Sequence, residues 1–278
     1  MSDEAVIGAW APLQVRLFRA LWLAGIVSNI GTFMHTVGAG WAVTSLTESP
    51  AIVSLLQTVW AAPGFLFALL AGALADVVDR RRLMLVTQFA SMVFAGILGV
   101  LDLVDGLTVP LLLGLTFALS VAGTMAGPVF MAVTPELIER PLIPQAVALN
   151  SISMNIAQAA GPALAGIVIA LAGPGAVFLV NALSFLGIVF VVRQYHPIVD
   201  RSLPAEHVVS AMRIGARYVR HAPRLQLLAA RVVLSIVVTS ALAALLPVIA
   251  RTRLGATAGE FGLLSTAMGV GAVAAVWA

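Results

Sequence analysis

The sequence contains no cysteine and no lysine, and only 10% of its 278 residues are charged. Without cysteine, disulfide bonds and thiolate metal sites are excluded. A soluble domain carries about a quarter charged residues, because water must wet its surface. Here 61% of the residues are hydrophobic, and the mean hydropathy is +1.06. The composition therefore indicates an all-α polytopic membrane protein, with most of its surface facing lipid or other helices.

Long uncharged stretches predict the membrane-spanning helices, each of which needs about 20 apolar residues to cross a bilayer. Eight helices are predicted, over residues 20–46, 50–75, 82–104, 107–134, 145–171, 175–193, 226–250 and 260–278. The fifth and sixth share one uncharged stretch, which the turn signal Ala172-Gly173-Pro174-Gly175 divides.

The 15 basic residues are all arginine and cluster between the predicted helices. With the N-terminus in the cytoplasm, all of them except Arg251 and Arg253 lie on the cytoplasmic side. Cytoplasmic loops of membrane proteins are enriched in basic residues, so this orientation is the predicted one. We expect a multi-pass protein of the bacterial cytoplasmic membrane. The pI near 10.5 arises from these loops, so no nucleic-acid partner is expected.

Three parts are predicted along the chain. They are a six-helix bundle over residues 1–194, a cytoplasmic linker over 195–224, and a partial second bundle over 225–278 with helices seven and eight. Residues 206–221 of the linker form an amphipathic pattern, with arginines on one face and apolar residues on another. This segment is interpreted either as a helix lying on the anionic inner leaflet of the lipid bilayer or as a solvated linker helix.

The loop after the second helix carries the first recognisable motif. Residues 72–83 read GALADVVDRRRL, which resembles the loop 2–3 signature of the major facilitator superfamily. Gly72, Asp76, Arg80 and Arg81 stand at matching positions, whereas Asp79 replaces a family glycine. The resemblance implies a conformational latch, in which Asp76 accepts hydrogen bonds from the N-terminus of a facing helix. Taken alone, the three arginines also fit a simple positive-inside loop.

The fifth helix carries a second motif. Residues 157–166 read AQAAGPALAG, similar to a Gly-Pro element that this superfamily associates with antiporters and exporters, with matches at Gly161, Pro162 and Gly166. A proline kinks a helix because it removes a hydrogen bond, and small neighbours allow close helix packing. An ordinary Gly-Pro kink is the alternative interpretation.

Residues 134–151 resemble loop 4–5 of the enterobactin-exporter-like (transmembrane secretion effector) branch of the superfamily. That resemblance implies a major-facilitator-type bundle of twelve helices. Residues 53–58 also resemble residues 261–266, at an offset of 208, so we expect the chain to be truncated after the eighth helix. Small residues of that helix, such as Gly262, are then expected to lack partners within the chain.

The candidates for coupling or for the substrate cavity are few. His35 is the single ionisable residue in the middle of a predicted helix. It could carry a proton, because its unperturbed pKa lies near 6.5, or it could remain a neutral imidazole. Polar residues that could share its cavity are Asn29, Thr32, Thr36, Gln57 and Gln158. Each of them suits helix–helix packing as well as substrate contact.

The pairs Asp76/Asp79 and Asp102/Asp105 resemble the paired aspartates that bind magnesium in some membrane enzymes. The third helix separates these pairs by about 30 Å, so no metal ion can bridge them. We therefore predict no enzyme, no cofactor and no metal. The prediction is a monomeric secondary transporter that exports drugs, siderophores or other small amphipathic compounds by alternating access, coupled to protons. The alternative is a non-transporting truncated membrane component or a scaffold-like partner.

Overall fold

The computed structural model describes residues 8–195, 217, 220–228, 230–231 and 245–274, and within these ranges the chain is helical without a strand. The long helices are α1 (Arg16–Leu46), α2 (Pro50–Val77), α3 (Arg80–Leu103), α4 (Val109–Leu137) and α5 (Ile143–Gln194). A π-helix (Ile249–Arg253) and a last helix, α6 (Ala258–Ala274), follow. The segments 223–228 and 230–231 are also helical.

The helix α5 consists of two arms that meet at Gly173, whose backbone is not helical (φ 78°, ψ 173°). A positive φ is readily adopted by glycine because it has no Cβ. We call residues 143–172 the first arm and residues 174–194 the second arm. The arms correspond to the predicted fifth and sixth helices, so the turn signal at residues 172–175 is confirmed.

Five helices of the described chain, α1 to α5, are long and apolar enough to cross a membrane. The predicted all-α polytopic membrane fold is therefore confirmed. The helix α6 occupies the position of the eighth predicted helix. Much of the predicted seventh helix, and most of the amphipathic segment 206–221, lie outside the described residues.

Local sequence explains where the helices begin. Pro50 opens α2, and Pro110 lies in the first turn of α4, where a missing N–H is harmless. At the start of α3, Asp79 Oδ1 accepts a hydrogen bond from the Arg82 N–H at 2.8 Å. At its far end, Asp102 Oδ2 accepts from the Gly175 N–H at 2.6 Å. The two aspartate pairs therefore lie at opposite ends of α3, as predicted.

The bundle has two distinct ends. At the arginine-rich end lie the start of α1, the loops between α2 and α3 and between α4 and α5, and the C-terminus of α5. The arginines at this end are Arg16, Arg80, Arg81, Arg82, Arg140 and Arg193. The opposite end carries the α1–α2 and α3–α4 loops, Gly173 and the start of α6. The helix α5 packs against α1, α3 and α6, whereas α4 packs against α2 and α3.

Candidate functional site

A cavity of about 720 Å³ lies between α1, α2, α3, α4 and both arms of α5. Its described lining residues lie in the middle of the bundle or toward the arginine-rich end, from Ser28 and Trp60 to Phe18 and Thr134. Near that end, Trp22 Nε1 donates a hydrogen bond to the Leu149 carbonyl at 2.8 Å, joining α1 to α5. The cavity is therefore built by α1 to α4 and both arms of α5, and it extends toward the arginine-rich end of the bundle.

The wall of this cavity combines neutral polar groups with aromatic rings. The polar lining residues are Ser28, Asn29, Thr32, Gln88, Ser91, Ser120, Thr124, Thr134, Asn150 and Ser153. The aromatic ones are Phe18, Trp22, Trp60, Phe130 and Phe185. No charged side chain lines the cavity in the described part of the chain. Such a wall suits a compound with apolar surface and a few hydrogen-bonding groups.

Two of the six predicted cavity residues, Asn29 and Thr32, line this cavity. Asn29 Nδ2 donates to Ser153 Oγ at 3.4 Å and so joins α1 to the first arm of α5. Thr36 donates to the Thr32 carbonyl at 3.1 Å and bonds within its own helix. The other predicted residues, Gln57 and Gln158, are half-buried and do not belong to the lining.

His35, the remaining candidate, lies behind the cavity wall. Its side chain is fully buried. The imidazole stacks on Trp60, which lines the cavity, with the ring centroids 6.1 Å apart. Its other neighbour is Phe178, at 4.7 Å between centroids. His35 is thus separated from the cavity by one aromatic ring, that of Trp60.

Sequence reasoning missed several lining residues of α2, α3 and α4. Trp60, Gln88, Ser91 and Ser120 all contribute to the wall, and the Ser120 hydroxyl donates to the Trp60 carbonyl. A usable signal existed in α3, where Gln88 and Ser91 are three residues apart and therefore share a helix face. Trp60 carried no such signal, because a tryptophan in an apolar helix is equally suited to face lipid.

Two arginines of the latch motif contact the ends of neighbouring helices. Arg80 forms an ion pair with Glu136 at the end of α4. Arg81 donates to the backbone carbonyls of Val192 (3.3 Å) and Arg193 (2.8 Å) at the end of α5. The loop therefore ties together the ends of α3, α4 and α5.

Asp76 and Gly72 stand apart from these contacts. Asp76 is exposed, and its carboxylate has no hydrogen bond or ion pair to any residue in the described part of the chain. A Cβ added at Gly72 would meet no described atom within 4 Å. In this conformation, the described residues therefore provide no partner for Asp76 and no close neighbour for Gly72, two of the four residues of the latch motif.

Glu136 also accepts a hydrogen bond from the Tyr195 hydroxyl, just after α5. Burial of the phenol, together with this bond to a carboxylate, raises the pKa of Tyr195 above its ordinary value. The phenol therefore stays protonated and keeps donating. Glu136 belongs to the third motif, residues 134–151, and its position between Arg80 and Tyr195 gives that motif a structural role.

The Gly-Pro element places glycines where helices cross closely. A Cβ at Gly161 would lie 2.6 Å from the Phe33 Cβ of α1. A Cβ at Gly166 would lie 3.1 Å from the Gly262 Cα of α6. Backbone angles remain helical at Pro162, and Gly173 is the residue where α5 departs from helical geometry. These glycines therefore permit contact with α1 on one side and with α6 on the other.

The contact with α6 corrects one expectation. Gly262 was expected to lack a partner in this chain, yet a Cβ at that position would lie 2.8 Å from Gly166 Cα and 2.8 Å from the Pro162 carbonyl oxygen. The expectation was wrong because the first arm of α5 already presents small residues to α6. Close backbone approach between small residues is a common way for membrane helices to associate.

The opposite end of the bundle is closed by contacts between α1 and the segment around α6. Arg251 Nη1 donates to Thr44 Oγ1 (3.0 Å) and to Ser45 Oγ (2.8 Å). The guanidinium also lies over the Trp41 ring, 5.2 Å from its centroid. Trp41 in turn stacks on Phe261 at 5.7 Å. Sequence reasoning placed Arg251 only in a loop and did not anticipate this role.

Comparison with known proteins identifies the family. A model of the family described as "Transmembrane secretion effector" matches residues 7–278. The chain is also 26% identical over 144 residues to the "Staphyloferrin A transporter" of Staphylococcus aureus (strain NCTC 8325 / PS 47). That similarity covers 51% of this chain and 36% of the relative's length.

The family match extends over nearly all of the chain and includes all three motifs. It confirms the resemblance that these motifs indicated. The protein is therefore a multi-pass membrane protein that belongs to the transmembrane secretion effector family of the major facilitator superfamily.

Proposed function

We propose that the complete protein is a secondary active transporter that exports small amphipathic compounds by alternating access, driven by protons. The observation that carries this proposal is the asymmetry of the bundle. The cavity extends from the middle of the bundle toward the arginine-rich end, whereas contacts of Arg251 and Phe261 close the opposite end. A cavity at the midplane with one closed end is what alternating access requires.

The proposed orientation places the arginine-rich end and the N-terminus in the cytoplasm of a bacterial cell. The positive-inside rule supports it. In this orientation the cavity faces the cytoplasm, from which an exporter takes its substrate. A matched pair of single cysteines tests the orientation, because the chain has no cysteine of its own. Arg82→Cys should be labelled only from the cytoplasm, and Val104→Cys only from outside. Labelling of both from one side would contradict the proposal.

The proposed substrates are small amphipathic compounds with apolar surface, including drugs and siderophores. The neutral, partly aromatic wall of the cavity supports this class. The name of the Staphylococcus aureus relative refers to staphyloferrin A, which supports siderophores as one group to test. The substrate would bind between two halves of a monomer, with the segment 195–224 as the linker at the inner leaflet.

Export is tested with ethidium in cells expressing the complete protein, with and without a protonophore. A cavity-filling variant, Gly123→Trp, provides the structural test, because Gly123 lines the cavity and a Cβ there meets no described atom within 4 Å. Gly114→Trp is the matched control, since Gly114 lies on the same helix, is exposed and does not line the cavity.

We expect protonophore-sensitive export that Gly123→Trp abolishes and Gly114→Trp preserves. If ethidium accumulates equally in cells with and without the protein, the proposal of transport is contradicted for this compound. A non-transporting membrane component would then explain the chain better.

A further inference from the structure

The starting point is a set of buried polar atoms that have no partner in the described part of the chain. Both ring nitrogens of His35 belong to this set, and its other members are Thr116 Oγ1, Asn181 Nδ2, Gln88 Oε1 and Gln145 Oε1. The side chains of His35, Thr116 and Asn181 are the most deeply buried of the five, at most 1% exposed. A neutral imidazole always has one N–H donor and one acceptor nitrogen, and buried polar groups are nearly always hydrogen-bonded. Three unsatisfied side chains at this depth therefore call for an explanation.

These side chains lie at one level of the bundle. His35 contacts Trp60 and Phe178, and Asn181 follows Phe178 by one turn of the second arm. Asn181 Oδ1 lies 2.9 Å from the position of a Cβ at Gly31. Gly31 precedes His35 by one turn of α1, and side chains of a helix lean toward its N-terminus. The His35 ring therefore leans toward the level of Asn181.

Thr116 reaches the same level from α4. One turn before it, Leu112 packs in the same apolar cluster as Phe178. One turn after it, Ser120 donates a hydrogen bond to the Trp60 carbonyl. Thr116 thus lies between the levels of the two aromatic residues that enclose His35. We call His35, Thr116 and Asn181 the buried polar layer.

Among the described spans α1 to α5, no charged group faces this layer from the middle of a helix. The stretches 20–47, 49–75, 83–101, 106–135 and 141–192, which form the middles of α1 to α5, contain no Asp, Glu, Arg, Lys or Tyr. They contain no other histidine either. His35 is therefore the one side chain in these five stretches whose unperturbed pKa lies between pH 5 and 8.

We propose that His35 is the proton-binding residue of transport, with Thr116 and Asn181 providing hydrogen bonds to the ring or to water in the buried polar layer. The inference rests on the proposed transport function. A proton from water binds the free ring nitrogen of the neutral imidazole and forms an imidazolium. The N–H bond forms as an O–H bond of a hydronium ion breaks, and the later transfer of the proton back to water reverses both changes.

The surroundings explain how proton binding changes the conformation. Trp60 and Phe178 offer aromatic rings that attract a cation, but no carboxylate fixes it. A charge in such a dry layer favours entry of water. Water entry loosens the packing around Phe178, which belongs to the apolar cluster with Val43 and Val53 near the opposite end. Protonation of His35 therefore shifts the population toward opening of that end.

Spin-label distances test this link directly, because residues 1–278 contain no native cysteine that would take up the label. Labels at Leu46→Cys and Leu254→Cys, both exposed and both at the opposite end, report its opening in the complete protein in lipid nanodiscs. We expect a short distance at pH 8.5 and a longer population that grows toward pH 5.5. His35→Gln should lose this pH response, whereas His221→Gln, a substitution of an exposed histidine, should keep it.

A second variant covers the case in which His35→Gln does not fold. Asn181→Asp places a carboxylate in the buried polar layer, and a nearby opposite charge favours the imidazolium. We expect the midpoint of the pH response to rise by about one pH unit or more. An unchanged midpoint, or an unchanged response in His35→Gln, would overturn the inference.

Ethidium export by the same variants separates the two proposals. A pH response that depends on His35, in a protein that exports no compound, leaves the proton site standing and counts against the transport function. Export that remains proton-driven in His35→Gln leaves the transport function standing and overturns the proton site.

Discussion

The two ends of the bundle are held together by different kinds of contact. At the arginine-rich end, charged side chains join helix ends around an open cavity, as Arg80 does with Glu136. At the opposite end, small residues bring helix backbones together, as at Gly166 and Gly262, and the Arg251 guanidinium lies over the Trp41 ring. Ion pairs near water can form and break at small net cost, whereas close backbone packing is either made or lost. The open, arginine-rich end is therefore held by contacts of charged side chains, and the closed, opposite end is held by close backbone packing.

The largest effect is expected from breaking the close packing. Gly262→Leu forces α6 away from α5, because even a Cβ at that position would lie 2.8 Å from Gly166 Cα. Overpacking of this kind costs about 1–3 kcal/mol or more. We expect a lower melting temperature in detergent and loss of export. Gly114→Leu, at a position with open space around its Cβ, should melt like the parent protein. Equal melting of the two variants would contradict the packing seen here.

The next largest effect on stability is expected at the arginine-rich end. Glu136→Gln removes the partner of Arg80 and weakens the acceptor of Tyr195. Because the pair is half-buried, we expect a destabilisation of about 1–2 kcal/mol, measured as a lower melting temperature. Glu139→Gln is the matched control, since Glu139 lies three residues away and is exposed. If both variants melt alike, the ion pair contributes no stability.

A smaller effect is expected from the cation at the opposite end. Arg251→Gln removes the contact with Trp41 and weakens the bonds to Thr44 and Ser45. A cation–π contact at a partly exposed site contributes about 1 kcal/mol. The distance between labels at positions 46 and 254 should therefore gain a longer population. Arg253→Gln, a change at an exposed neighbour, should leave the distance unchanged, and a matching shift in both variants would argue against a specific role.

The smallest effect on stability is expected at Asp76. This carboxylate is exposed and has no partner in the described part of the chain, so Asp76→Asn should not change the melting temperature. Export should nevertheless fall, if Asp76 binds a helix N-terminus when the arginine-rich end closes. If Asp76→Asn lowers the melting temperature but preserves export, Asp76 has a structural role and does not act as a latch.

Sequence alone was sufficient for the class of protein and for much of its secondary structure. Uncharged stretches of sufficient length predict membrane helices because backbone polar groups must be satisfied within each span. The turn signal at residues 172–175 predicted the break in α5, which the structure shows at Gly173. The motifs led to the correct family, since they depend on short runs of residues that remain contiguous in the chain.

The cavity was only partly predictable. Asn29 and Thr32 were found because they share a polar face of α1, which is a property of one helix. Trp60 and Ser120 were missed because their contact joins residues 60 positions apart in the sequence. Arg251 was missed for the same reason, since Thr44 lies 207 positions before it.

What the sequence by itself determined was therefore local: the spans, their ends, the break at Gly173 and the motifs. The tertiary structure decided which helices meet, that Gly166 contacts Gly262, and that His35 lies behind Trp60 without a hydrogen-bonding partner among the described residues. The physical reason is that hydropathy and turn preferences act along the chain. Close packing and burial of polar atoms depend instead on surfaces that come together only when distant helices associate.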